Sequence, residues 1–457
     1  MKHWHDECAV FGIWNDPEAA QMTYLGLYAQ QHRGQESAGI VTLHEGHHIN
    51  HKGLGLVGDV FKEADLQRLK GMAAIGHVRY STTGKNHLAN AQPLSATLKG
   101  GPMALAHNGN IVNAESIRKS LINKGAIFQG TNDTECLLHL LSRSEVDHHV
   151  KALKSSIVKL EGAYSLVCLT DDCLIAARDP MGFRPLVLGK RKLENGQEST
   201  VIASETCAFD LIGARYVREI EPGEIYYVNK EKEESIRFSA SERLAKCVFE
   251  YVYFARPDSK VFSRSVYEAR KKMGKRLFEE SHVDADMVIP VPDSGVPAAI
   301  GYAEASRIPF ELGIIRNHYI GRTFIQPSQS IRSFGVKIKL NPQTEILKGK
   351  KIVVVDDSLV RGTTSQKIIR LVRQAGAKEV HFRIASPPTT GSCYYGVDTP
   401  KKRQLIANEK TVEQIRQYID ADSLAYLSTQ GMMEAIGANA KDFCAACFDG
   451  KYPTELY

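Results

Sequence analysis

Residues 351–365, KIVVVDDSLVRGTTS, constrain this chain more than any other stretch. Ile352–Val355 is a short β-branched apolar run that predicts a buried strand, and Asp356 and Asp357 stand where that strand would end. Arg361, Gly362, Thr363, Thr364 and Ser365 then lead into a helical pattern (Ile368, Ile369, Leu371, Val372, Ala375) that closes at Gly376. Backbone N–H groups at such a helix start point at an anion, and the hydroxyls add donors. In an open α/β sheet the crevice beyond the strand's carboxyl end is where ligands bind. The stretch therefore predicts a phosphate cradle beside two acids suited to a sugar diol or Mg²⁺. An ordinary βα turn with solvated acids is the bland alternative, disfavoured because strand, acid pair and RGTTS occur together.

The motif resembles the phosphoribosyl-pyrophosphate (PRPP) motif of type I phosphoribosyltransferases. That resemblance assigns Asp356 and Asp357 to the ribose diol and metal, and Arg361–Ser365 to the 5′-phosphate. From about residue 247 helix and strand alternate as a parallel α/β sheet requires: a helix over 265–281 and strands over 287–292, 310–315, 352–355 and 380–385. Pro292-Asp293-Ser294-Gly295 follows one of these strands. By itself it predicts a polar turn; the resemblance makes it the pyrophosphate-side loop, with Ser294 near the metal. Residues 316–339 carry Arg316, Arg322, Arg332, Lys337 and Lys339 with little periodicity, and are expected to form a lid over the polyanion, with a plain solvated loop as the alternative.

The whole chain has 457 residues, enough for two domains or more, and its 43% hydrophobic and 24% charged composition is that of a globular protein. A net charge of +6 with dispersed basic residues gives no reason to expect nucleic acid as a partner. No run approaches the ~20 apolar residues of a membrane span, and MKHWHDE lacks a secretion pattern, so a cytoplasmic, membrane-free protein is expected. Residues 189–200 read as an exposed loop and 229–244 as a polar joint between domains.

In the N-terminal half, strands are expected at 9–14, 72–80, 103–107, 163–169, 173–178, 186–189, 200–204 and 224–228, with a further one after the HRGQES turn. Helices are expected at 17–32, 113–124 and 133–144. Strand-dense ends with helices between predict stacked sheets covered by helices, an α+β layer architecture. Cys8 alone would be a structural cysteine at a strand start. However, ECAVFGIW, QHRGQESAGI, GHVRYSTTG, ALAHNGNI and TNDTE come in the order and at roughly the separations of the class II glutamine amidotransferase domain, which this half resembles.

That resemblance implies an N-terminal-nucleophile αββα sandwich in which the Cys8 thiolate attacks the glutamine amide. Asn108 and Gly109 would donate to the oxyanion, Arg79 would pair with the substrate carboxylate and Asp133 with its ammonium. Without the resemblance, His107-Asn108-Gly109 is simply a hairpin turn. The family's general base is the nucleophile's own α-amino group, so residues 1–7 are expected to be a propeptide removed between Glu7 and Cys8. The glutaminase domain would then span 8–235 and the phosphoribosyltransferase domain 236–457.

Nine cysteines without an export signal make a poor disulfide framework. Cys444 and Cys447 form a CxxC that, with Cys247 and Cys393, suits zinc or an iron–sulfur cluster, which spacing does not separate. Both halves together resemble the amidophosphoribosyltransferase family. Its iron–sulfur members carry cysteines at these positions ahead of a segment like FDGKYPTELY, which implies a structural [4Fe–4S] cluster. Cys136, Cys168, Cys173 and Cys207 read as core. The resemblance further implies glutamine and PRPP as substrates, Mg²⁺, purine nucleotides as feedback inhibitors and a homotetramer. EYVYFARPDS (250–259) is expected at the interface between the halves. A hexosamine-phosphate synthase would share the cysteine half but not the Asp-Asp…RGTTS stretch, and a PRPP-sensing regulator would not need Cys8, Asn108 or Asp133.

Overall fold

In the computed structural model, described for residues 8–80, 87–241, 243–317, 339–397, 399, 402–437 and 439–456, the N-terminal half is a four-layer sandwich. One sheet runs in the order Ala214–Glu219, Val187–Lys192, Glu198–Ala203, Ala9–Trp14, Ala73–Arg79, Ser37–His44, His47–Leu54, and all its neighbours are antiparallel. The second runs Glu233–Arg237, Glu224–Asn229, Cys173–Arg178, Gly162–Thr170, Gly101–Ile111, Leu94–Leu98, also antiparallel.

Period-two alternation sorts the side chains into layers. In the first strand Phe11 and Ile13 pack with Leu27 and Phe209 beneath helices Ala19–Ala29 and Cys207–Ile212. Val10 and Trp14 point the other way, meeting Ala104, Ala106, Val167 and Leu174 of the facing sheet. On the far side, Leu105, Leu166 and Ile175 bury helices Thr134–Ser142 and His149–Ile157 through Leu137 and Leu153.

The C-terminal half is a parallel four-stranded sheet in the order Met287–Pro290, Lys351–Asp356, Glu379–Ile384, Ser423–Tyr426. Val353 and Val355 face helices Val266–Glu280 and Val296–Ser306, whereas Ile352 and Val354 face Thr363–Gln374 and Val412–Ile419. The apolar run is thus buried on both faces, as a parallel strand between helix layers must be.

Three expectations need correcting. Residues 189–200 are a β-hairpin rather than a loop: Glu198 pairs with Lys192 and Ala203 with Val187, leaving only a short turn exposed. Polar residues suit this hairpin because its outer end faces water. Within 229–244, Glu233–Arg237 is an edge strand of the second sheet. Residues 310–315 add no full strand to the parallel sheet. Phe310 makes one bridge to Val288, and Ile314–Arg316 instead pairs antiparallel with Leu340–Pro342. Only Arg316 of the expected lid belongs to that ribbon; residues 318–338, Arg322, Arg332 and Lys337 among them, lie outside the described residues. Residues 1–7 lie outside them too.

Candidate functional sites

The first site forms at one end of the sandwich. Cys8 enters the strand Ala9–Trp14, whose register sets Ala9 against Val78 and so brings Arg79 beside Cys8. The Cys8 side chain is buried, with Sγ 3.6 Å from the Tyr80 carbonyl oxygen. Asn108 shares the inward parity of Ala104 and Ala106. Its Nδ2 donates to Ser204 Oγ at 3.3 Å, and Ser204 Oγ accepts from the Val10 amide at 3.0 Å, tying the oxyanion candidate to the nucleophile's strand. Among the described residues Asn108 Oδ1 is buried without a hydrogen-bond partner.

Gly109 sits at φ +146°, and a Cβ there would lie 2.1 Å from the Ala163 carbonyl oxygen, so only glycine fits. Asp133 stands at the start of helix Thr134–Ser142 and accepts from the Ile111 amide at 2.8 Å. Burial pushes its carboxyl upward, but His107 beside it and the amides of Ile111 and Thr134 outweigh this and hold it below the usual carboxylate range. Arg79 is buried with Glu36 at 3.9 Å. The five sequence candidates thus converge: a thiol, an amide donor, a permissive glycine, a cation and an anion.

The second site is a cleft of about 270 Å³ at the carboxyl end of the parallel sheet. Ser294, Asp356, Asp357, Arg361, Gly362, Thr363, Thr364 and Ser365 all line it, joined by Tyr253 and Leu340. Gly362 adopts φ +73° ahead of helix Thr363–Gln374, turning the chain so that the first helical turn opens on the cleft. Asp356 Oδ1 accepts from the Asp357 amide at 2.9 Å, and Ser358 donates to Asp357. Burial and the adjacent Asp357 charge drive the Asp356 carboxyl well above its ordinary value. Two buried acids with a neighbouring hydroxyl form a hard-oxygen donor set that suits Mg²⁺, whose charge would relieve their repulsion. Arg316, at the base of the expected lid, pairs with Asp293.

The third site is a small, almost wholly apolar pocket lined by Cys247, Cys393, Cys444 and Cys447 with Phe183, Phe249, Tyr395 and Tyr452. Cys247 and Cys444 are brought level by a parallel bridge between their short strands. The Tyr395 amide donates to Cys393 Sγ at 3.3 Å, the kind of N–H···S bond that tunes a metal-bound thiolate. Burial pushes the Cys444 thiol up to about 12, and burial together with the other three sulfurs raises Cys447 as well. Among the described residues no three His, Cys, Asp or Glu side chains converge tightly enough for a single ion. Four buried cysteines around one apolar pocket fit a thiolate-bound group, zinc or an iron–sulfur cluster alike. Cys136, Cys168, Cys173 and Cys207 are buried, as their core reading expects.

Sequence reasoning missed the ion network between the halves. Arg33, Arg184, Glu205 and Glu250 are fully buried and bonded together. Only their tertiary meeting marks them, although Arg33 lay within the HRG motif. The 250–259 stretch does lie at the interface: Glu250–Phe254 is a π-helix whose Glu250 bonds Arg33 and Arg184 of the first half while Tyr253 lines the cleft.

A family model described as a glutamine amidotransferase domain matches residues 77–210, and one described as a phosphoribosyl transferase domain matches 264–414. The chain is 53% identical over 451 residues to a chloroplastic amidophosphoribosyltransferase of Glycine max, covering 98% of this chain and 79% of the relative. It is 49% identical over 462 residues to the amidophosphoribosyltransferase of Bacillus subtilis (strain 168), covering 100% and 96%. A solved structure of glutamine PRPP amidotransferase from B. subtilis, complexed with ADP and GMP, matches with a TM-score of 0.92 at 49% identity, over 98% of each chain.

Proposed function

The chain belongs to the amidophosphoribosyltransferase family, and on that premise we propose how its residues divide the reaction. Glutamine, PRPP and water give 5-phosphoribosylamine, glutamate and pyrophosphate, the first step of purine biosynthesis. The observation that carries the residue roles is the presence on one chain of a buried cysteine with amide donors and an open cleft ending in paired acids and a phosphate cradle.

Cys8 is the nucleophile, with its α-amino group as base once residues 1–7 are removed. Asn108 Nδ2 and the Gly109 amide take up the oxyanion charge that develops on the glutamine amide. Arg79 binds the α-carboxylate, and Asp133, which its surroundings keep ionised, binds the α-ammonium. In the cleft, Thr363, Thr364, Ser365 and the helix start hold the 5′-phosphate while Arg361 adds positive charge. Asp356 and Asp357 orient the ribose diol and, with Ser294, would hold Mg²⁺, which supplies charge neutralisation for departing pyrophosphate. Ammonia released at Cys8 reaches the sugar shielded from bulk water, which would protonate it, and the interface helix Glu250–Phe254 stands between the two sites.

The cage of Cys247, Cys393, Cys444 and Cys447 would hold a [4Fe–4S] cluster that cross-links distant segments of the second half. Iron and sulfide in equal amounts in anaerobically purified protein are expected; zinc in their place would overturn this. Purine nucleotides are proposed as inhibitors, which the nucleotide-bound B. subtilis structure supports. A homotetramer and a cytoplasmic compartment complete the proposal.

The deciding experiment is glutamate release from glutamine with and without Mg²⁺-PRPP. Strong stimulation by PRPP is expected, together with loss of glutamine-dependent but not ammonia-dependent product formation in Cys8→Ala. Glutamine-dependent turnover surviving in Cys8→Ala would remove Cys8 from its role. Intact mass should show Cys8 as the first residue of active enzyme.

A further inference from the structure

Cys8, Arg79, Asn108, Gly109 and Asp133 all lie before position 134, yet the backbone of Cys8 is held by an arginine that a side chain of the other half grips. The Cys8 carbonyl oxygen accepts from Arg33 Nε at 3.2 Å. Arg33 is 1% exposed and is itself gripped by two carboxylates: Nη1 lies 2.6 Å from Glu205 Oε1 and 2.8 Å from Glu250 Oε2, and Nη2 lies 2.7 Å from Glu250 Oε1. Glu250 also accepts from Arg184 Nη1 at 3.1 Å, and Arg184 Nε donates to the Tyr395 carbonyl oxygen at 3.0 Å. A continuous path of buried charged hydrogen bonds therefore runs from the segment carrying Cys393 through Arg184, Glu250 and Arg33 to Cys8.

We propose that Glu250 is a positioning residue for the glutamine half-reaction, supplied by the phosphoribosyltransferase half: by fixing the Arg33 guanidinium it sets the backbone of Cys8 and hence the aim of its thiol and α-amine. This rests on Cys8 being the nucleophile. A planar guanidinium held in a two-point grip has one orientation, so its Nε–H has one direction in which to meet the Cys8 carbonyl. Burying two arginines and two glutamates is costly, and hydrophobic packing would join the halves as well, so an orienting role is what the network adds. Glu250 stays ionised there: burial opposes its charge, but Arg33 and Arg184 outweigh burial and lower its pKa. Small errors of aim at a nucleophile are amplified in rate, while substrate affinity, set by Arg79 and Asp133, is left alone.

The test uses full-length enzyme carrying Glu250→Gln, Glu250→Asp or Arg33→Lys, with ammonia-dependent product formation measured beside the glutamine-dependent reaction. For Glu250→Gln, glutamine-dependent kcat should fall about 10-fold or more while KM for glutamine changes less than about twofold and the ammonia-dependent rate is retained. Arg33→Lys, which removes the Nε donor but keeps the charge, should give the same split, and Glu250→Asp should recover part of the rate. An unchanged glutamine-dependent kcat, or an equal fall in both reactions in all three variants, would overturn the proposal. Cys8→Ala in parallel separates this from failure of the nucleophile assignment: if that variant keeps glutamine turnover, the assignment itself falls.

Discussion

Asp133 and Asp356 are both buried carboxylates, and their surroundings move them in opposite directions. His107 and two amides hold Asp133 low against the pull of burial, so it stays charged as pH falls through the ordinary carboxylate range, as its proposed role toward the glutamine ammonium requires. Its contribution to stability is present above the unfolded-state value and is lost only as pH falls through the lower folded value. Asp133→Asn is expected to raise KM for glutamine about 10- to 100-fold, the worth of one charge-assisted hydrogen bond, with little change in ammonia-dependent activity. Steady-state kinetics with both nitrogen donors checks this.

Burial and Asp357 hold Asp356 high. Unfolded, it ionises near the ordinary value of about 4, so between that value and the folded one folding takes up a proton and stability falls as pH rises. Asp356→Asn should therefore melt at a higher temperature than the parent near neutral pH, with the gain vanishing below about pH 4. PRPP-dependent activity should fall by on the order of 100-fold or more, because an amide cannot replace the charge. Melting curves at the two pH values, paired with activity, decide it; a variant less stable than the parent at neutral pH would contradict the account.

Among elements, the turn Arg361–Ser365 joins fold to function most directly. Gly362 needs its left-handed backbone, and a Cβ there would lie 3.0 Å from Ile406 and 3.1 Å from Tyr418. Gly362→Ala should cost about 1–2 kcal/mol of stability and raise KM for PRPP, since the helix start that cradles phosphate would shift. Urea unfolding and PRPP kinetics measure the two effects. The sequence showed this element almost completely: strand, acid pair, glycine, hydroxyls and helix are all local signals. The inner ends of the hairpin at Val187–Ala203 were legible as strands near 186–189 and 200–204, but its outer end and the edge strands His47–Leu54 and Glu233–Arg237 were not, because they are polar, partly solvated and defined by their partners.

At the scale of the whole molecule, the four-cysteine cage gathers segments that begin at Cys247 and end beyond Cys447, next to the interface. The Tyr394 carbonyl oxygen accepts from Asn110 Nδ2 at 2.9 Å, and Gly396 packs against the Gly109 backbone, so the cage segment abuts the oxyanion strand. Replacing Cys447 by Ser should abolish iron binding and lower the melting temperature by roughly 5 °C or more, as loss of a ligand bound only by the native state does. Metal analysis with calorimetry tests it; iron retained at the parent level would exclude Cys447 from the ligand set.

The sequence by itself determined the phosphate-cradle chemistry, because an apolar strand, two acids and RGTTS are contiguous; for the glutaminase half it determined only an ordered set of motifs, whose chemistry came from the family they resemble. It also determined the layering, since period-two and helical alternation sort side chains between faces without reference to distant residues. Tertiary structure alone decided how the chemistries are joined. Arg33, Arg184, Glu205 and Glu250 are ordinary charges in the sequence, and become a buried network only when strands and helices far apart in the chain exclude water from the space between them.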